Sequence, residues 1–171
     1  MRAFGRATAP KPWLSYIDRR PALAAPPPEV IQVTERSSRD IREVNLEVNG
    51  KYVWIADRRE HWDHTMLRRK NGRRGDDCEN FALLKRKLLH RRGYPLGALR
   101  LAVCYAPQRT SRTGMAGHAV LCVCTDRGDY ILDNLYPRLV KRWDTLPYQW
   151  ISRIREGETA EMLIGNAPRR R

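Results

Sequence analysis

The chain has 171 residues, 42% of them hydrophobic and five of them Trp, which suits one domain with a real core. Its 33 Lys plus Arg against 19 Asp plus Glu give a formal charge of +14, but the basic residues lie in short scattered runs without a nucleic-acid-binding signature. A solvated basic face is therefore expected and no specific nucleic acid. No apolar run is long enough for a membrane span and the N-terminus lacks the apolar core of a secretory signal, so the chain as written is expected in the cytoplasm.

Residues 1–36 carry Pro10, Pro12, Pro21 and Pro26-Pro27-Pro28 with little periodicity. They predict a proline-rich N-terminal arm, extended or disordered, with Trp13, Tyr16 and Ile17 docking locally. A single domain is expected over residues 37–165, followed by a basic C-terminal tail over 166–171. Ser37 and Asp40 make a capping-box pattern, and Ile41, Val44 and Val48 mark one side of a helix that Gly50 closes. Tyr52 to Ala56 is a short apolar run. The charged loop after it holds His61, Trp62 and His64, read as surface histidines beside a Trp, and Met66 to Arg74 is a basic approach whose cations offset the acids that follow.

Those acids surround a cysteine in Gly75-Asp76-Asp77-Cys78-Glu79-Asn80-Phe81-Ala82. Asp76 or Asp77 is an N-cap, and good helix formers run on to Arg92, where Gly93 and Pro95 stop them. Cys78 falls in the first turn. Unpaired backbone N–H groups and the helix dipole favour a thiolate there. Asp77 and Glu79 act the other way, since like charge raises a thiol pKa unless a cation neutralises it. A lone cysteine is more often a small buried hydrophobe than a nucleophile, so the residue type by itself assigns nothing.

Leu99 to Tyr105 alternates as a strand, and Ala106 to Gly117, rich in Thr, Ser, Gly and Arg, reads as a mobile loop that delivers His118 and gates the site. His118 to Cys124 is a second strand with His118, Val120, Cys122 and Cys124 on one face. A turn around Asp126-Arg127-Gly128-Asp129 leads into a third, Tyr130 to Asn134, giving an antiparallel hairpin. A hairpin centred between Thr125 and Asp126 sets Asp133 opposite His118; a later centre slides them apart on the same face. Trp150, Ile151 and Ile154 mark a last packing element.

A cysteine at a helix start, a histidine early in a strand and an aspartate late in the next supply a nucleophile, a base and an orienter. Cys78, His118 and Asp133 are the candidate catalytic residues, and a thiol hydrolase acting on peptide or protein through a thioacyl-enzyme is the expected activity. Acyl transfer to an amine uses the same triad. A non-catalytic module binding an anionic partner through the basic surface is the alternative from another class. The four cysteines permit two disulfides, although Cys122 and Cys124 are too close on one strand to pair easily, and a four-cysteine zinc site lacks a C-x-x-C knuckle.

Between about Ile41 and Leu163 the chain resembles the bacterial transglutaminase-like cysteine peptidases, the LapG-like proteases. The resemblance rests on Glu43-Val44-Asn45 with Trp62, on Gly75 through Ala82, on Gly117-His118-Ala119-Val120-Leu121 and on Ile131-Leu132-Asp133-Asn134-Leu135. It implies an α+β, papain-like transglutaminase-core fold, a catalytic helix packed on an antiparallel β-sheet, with Cys78, His118 and Asp133 as triad. It also implies calcium as cofactor, with Asp77 and Glu79 matching the family's metal ligands, and the periplasm as the alternative location. The family pattern Gly-Asp-Cys-Glu-Asp has an extra Asp after Gly75 here, and Asn80 in place of its last acid.

Overall fold

The structure, a computed structural model, describes residues 2–56, 61–157 and 159–164; the basic tail expected over 166–171 lies outside them. A seven-stranded antiparallel sheet forms the body. Its strands are β1 (Arg2–Thr8), β5 (Leu99–Pro107), β6 (Met115–Thr125), β7 (Gly128–Leu132), β8 (Val140–Arg142), β9 (Gln149–Glu156) and β10 (Thr159–Ile164), in the order β1-β10-β9-β5-β6-β7-β8. A smaller sheet joins β2 (Val53–Trp54), β4 (Arg73–Asp76) and β3 (Arg68–Lys70) in that order. Three helices complete the fold: α1 (Lys11–Arg19), α2 (Glu35–Lys51) and α3 (Cys78–Arg91). The expected α+β architecture, a cysteine-bearing helix on an antiparallel sheet, is present.

The apolar periodicity of the helices explains their burial. Ile41, Val44 and Val48 of α2 are buried as their spacing predicts, and with Phe81, Ala82, Leu83 and Leu89 of α3 they join one core with Leu99, Leu101, Val120, Leu121, Ile131 and Leu132 of the sheet. The start of α2 differs from expectation. Thr34 is the N-cap, its hydroxyl accepting from the Ser37 N–H at 3.1 Å while Ser37 Oγ accepts from the Thr34 N–H at 2.8 Å, and the helix runs through Gly50 to Lys51. The capping box thus begins one turn earlier than Ser37 and Asp40 suggest.

The N-terminal segment is corrected more substantially. β1 pairs with β10 along its length, and Lys11–Arg19 is a helix with Trp13 and Tyr16 sealed in the core at 0% and 1% exposure. Trp13 Nε1 donates to Gly157 O at 2.8 Å, and the Arg86 guanidinium stacks 5.4 Å from its ring. Each such aromatic takes roughly 150–250 Å² from water. At about 25 cal/mol per Å² the two rings contribute on the order of 10 kcal/mol against the ordering entropy of the segment.

Two further differences lie before the cysteine. Residues read as a basic approach form the β3–β4 hairpin, turned by Asn71 and Gly72 at φ 51° and 76° between the paired Lys70 and Arg73. Positive φ at both positions is what a two-residue type I′ turn requires. His61 is exposed as expected, whereas His64 is buried, its Nδ1 3.2 Å from the Tyr16 hydroxyl and its Nε2 accepting from Lys87 Nζ at 2.8 Å. All four cysteines are free and buried.

Candidate active site

Cys78 is positioned by the small sheet. β2 and β4 run parallel with Val53 paired to Gly75, and a Cβ on Gly75 would lie 1.7 Å from Val53 O. Only glycine allows that approach, which aims the chain from Asp76 into α3. Of the two candidate caps the structure selects Asp77, whose carboxylate accepts from the Asn80 N–H at 3.3 Å. Cys78 is then the first helical residue, as expected from sequence, and 9% exposed.

His118 and Asp133 come from β6 and from the residue just past β7. His118 lies three residues inside β6, paired with Cys104 of β5, so it is held by strand hydrogen bonds rather than delivered by a loop. The loop itself shrinks to residues 108–114. It is closed by bonds of its own, including Gln108 N–H to Gly114 O at 2.8 Å, so the loop bounds of Ala106 to Gly117 are corrected, both ends being strand. His118 Nε2 and Asp133 Oδ1 are 2.8 Å apart. The Leu135 N–H donates to the same oxygen at 2.8 Å, and the Tyr148 hydroxyl donates to the other. Burial works against the charged carboxylate, yet these donors hold Asp133 below the usual carboxylate range. Since Nε2 is occupied by Asp133, Nδ1 is the ring nitrogen left to exchange a proton.

Cys78 and His118 border the same cavity of 310 Å³, together with Trp54, Gln108, Asn134 and Leu135. Trp54 and Leu135 stand about half exposed on its rim. The Ala119 backbone N–H, directly after His118, donates towards the Cys78 sulfur and favours its ionisation. The stronger influences oppose it. Burial pushes the thiol well above its ordinary range, and Glu79 adds to this by charge and by accepting the S–H at 3.0 Å. The conflict between thiol and acids that the sequence implies is therefore physical.

Arg68 lies 3.5 Å from Asp76 and offsets that acid, as the basic approach suggests. Asn80, where the family pattern has an acid, is committed to structure: its Oδ1 accepts from the Asp63 N–H at 2.8 Å. Asp77, which caps α3, and Glu79, which accepts the Cys78 S–H, place two carboxylates beside a thiol burdened by negative charge, hard oxygen donors of the type calcium prefers. Among the described residues, the one cluster of three His, Cys, Asp or Glu ligand atoms lies elsewhere, at Cys122, Cys124 and Asp129. Its centre is filled by the Arg153 guanidinium.

Tyr148 and Lys85 belong to the site and carry no local sequence signal. Tyr148 sits on the approach to β9 and reaches Asp133 only through the sheet order. Lys85 is 0% exposed, lies two turns along α3 from Cys78, and feels the charge of Asp133.

The sequence model of the bacterial transglutaminase-like cysteine proteinases matches residues 4–163. Among solved structures, calcium-bound Legionella pneumophila LapG superposes with a TM-score of 0.56 at 18% identity, covering 93% of this chain and 83% of that one. EGTA-treated LapG from the same organism gives 0.54 at 19% identity over 92% and 81%. These likenesses are of fold. No curated protein sequence matches the chain.

Proposed function

The chain belongs to the bacterial transglutaminase-like cysteine proteinases, and from that premise we propose that Cys78, His118 and Asp133 are its catalytic triad and that Asp77 and Glu79 hold calcium. The observation that carries the triad is the 2.8 Å bond from His118 to Asp133, with Cys78 on the wall of the same cavity. The calcium reading is supported by the acids flanking the thiol and by the existence of a calcium-bound LapG. When bound, calcium supplies positive charge that lowers the cost of a thiolate beside Glu79.

Asp133 fixes the imidazole through Nε2, so Nδ1 accepts the thiol proton from Cys78. The thiolate attacks the carbonyl carbon of a peptide bond in the cavity. The first-turn N–H groups of α3 face the oxyanion, and His118 returns the proton to the leaving amine. Water, deprotonated by His118, then releases the acyl group from Cys78. Tyr148 and the Leu135 N–H keep Asp133 ionised, so that it stabilises the imidazolium formed in both halves of the cycle.

The test is peptide hydrolysis by the wild-type chain and by Cys78→Ala, with melting temperature as a control for folding. Loss of hydrolysis in a folded Cys78→Ala chain is expected, and persistent hydrolysis contradicts the proposal. Calcium is tested by melting in calcium against chelator. A higher melting temperature in calcium is expected from mass action on the folded state, and identical melting contradicts that part.

A further inference from the structure

Cys122 and Cys124 are two apart on β6 and share a face, and Arg153 and Arg155 are two apart on β9. Arg153 Nη1 donates to Cys122 Sγ at 3.5 Å, to Cys124 Sγ at 3.4 Å and to Asp129 Oδ2 at 3.0 Å. Its Nε donates to Glu161 Oε1 at 2.6 Å, which Arg100 also approaches at 3.3 Å. One guanidinium thus bridges two sulfurs and a carboxylate, occupying the place a metal ion would need.

The two sulfurs are not equivalent. Cys122 is sealed at 0% exposure, whereas Cys124 is 5% exposed and lines an open cavity of 590 Å³ with Arg100, Arg153 and Arg155. Arg155 also lines this cavity, adding a third guanidinium to its wall, and its Nε is buried without a hydrogen-bond partner. The Cys122 thiol donating to Cys124, with Arg153 beside it, holds Cys124 below the ordinary thiol range, while burial pushes Cys122 well up. Of the two sulfurs, Cys124 is therefore the more readily ionised, with Arg153 3.4 Å away on the side that solvent reaches.

We propose that Cys124 is a second reactive thiol of this chain, a site of oxidation by hydroperoxides, formed where Arg153 bridges the two sulfurs at the wall of this cavity. In the reaction the Cys124 thiolate attacks one peroxide oxygen, forming an S–O bond as the O–O bond breaks. The sulfur is oxidised by two electrons to a sulfenic acid, and the second oxygen leaves as hydroxide from hydrogen peroxide or alkoxide from an organic hydroperoxide, taking up a proton to become water or an alcohol. Two residues along an extended strand span roughly 6.6–6.8 Å, the far limit for a disulfide, so Cys122 does not readily close onto the sulfenic acid.

The test treats the wild-type chain and a Cys78→Ala chain with hydrogen peroxide in the presence of dimedone, which traps sulfenic acids, and maps the adducts by peptide mass spectrometry. Both chains are expected to carry an adduct on Cys124, formed about tenfold or more faster than any on Cys104, whose thiol burial pushes up. Arg155→Ala, at a half-buried position, should slow Cys124 modification with the fold intact. No adduct on Cys124, an adduct on Cys122 instead, or equal rates at Cys124 and Cys104 would overturn the proposal.

Discussion

His118 and Asp133 are bonded at 2.8 Å although the strand ladder does not set them opposite each other. Leu121 pairs with Leu132 and Thr125 with Gly128, so the same register brings position 133 level with Val120. The bond is therefore diagonal, made by side chains on one face across a two-residue offset, and Asp133 holds its position because Leu135 N–H and Tyr148 also bind it.

Asp133→Asn keeps the shape of this acceptor and removes its charge. The amide no longer stabilises an imidazolium, and its NH₂ can donate to Nε2 and force the wrong tautomer on His118. A fall in kcat/KM of about 10²–10⁴-fold on a peptide substrate is expected, with the far-ultraviolet circular dichroism unchanged. Near wild-type turnover in this variant would show that Asp133 is a structural acid.

Glu79→Gln separates the two roles given to this carboxylate. The wild-type side chain accepts the Cys78 S–H at 3.0 Å and, after burial, contributes most to raising that thiol. In chelator the variant should alkylate at Cys78 about tenfold faster than wild type near pH 8, as expected for a pKa lower by one. Calcium should accelerate the wild type and leave the variant unchanged. Equal rates in chelator would mean that Glu79 does not control the thiol.

Lys85 yields a prediction about stability. It is 0% exposed, its Nζ has no hydrogen-bond partner, and burial lowers its pKa from 10.5 to about 7 despite the opposing charge of Asp133. The folded amine is thus neutral between pH 7 and 10.5, where the unfolded one is charged. The unfolded chain binds more protons in that window, so stability rises with pH across it, and the penalty is full at and below pH 7. Lys85→Met should be more stable at pH 7 by a few kcal/mol, with the gain fading as pH rises from 7 and gone above pH 10.5. Denaturant unfolding at a series of pH values measures this, and a destabilised variant at pH 7 would reveal a partner for the amine.

The elements legible in the sequence are those whose cause is local. Asp77, Cys78 and the helix after them follow from a cap, a composition and a Gly93 stop; His118 and Asp133 follow from alternation around a Gly-containing turn. The segments read differently are held by distant residues. Trp13 and Tyr16 are helical and buried because Gly157, Arg86 and His64 receive them, and none of these contacts has a trace in residues 1–36. The β3–β4 hairpin, too basic to alternate, did carry a local signal in Asn71-Gly72. Thr34 could likewise have been found, as a hydroxyl three residues before Ser37.

The central claim, that Cys78 and His118 form an acid–base pair, is tested most directly by the pH dependence of Cys78 alkylation with iodoacetamide in calcium, for wild type and His118→Ala. Peptide mass mapping is required to separate Cys78 from Cys124. The account predicts an apparent pKa in the wild type below the free-thiol value of about 8.5, and a clear rise in His118→Ala. The same pKa in both proteins would contradict it.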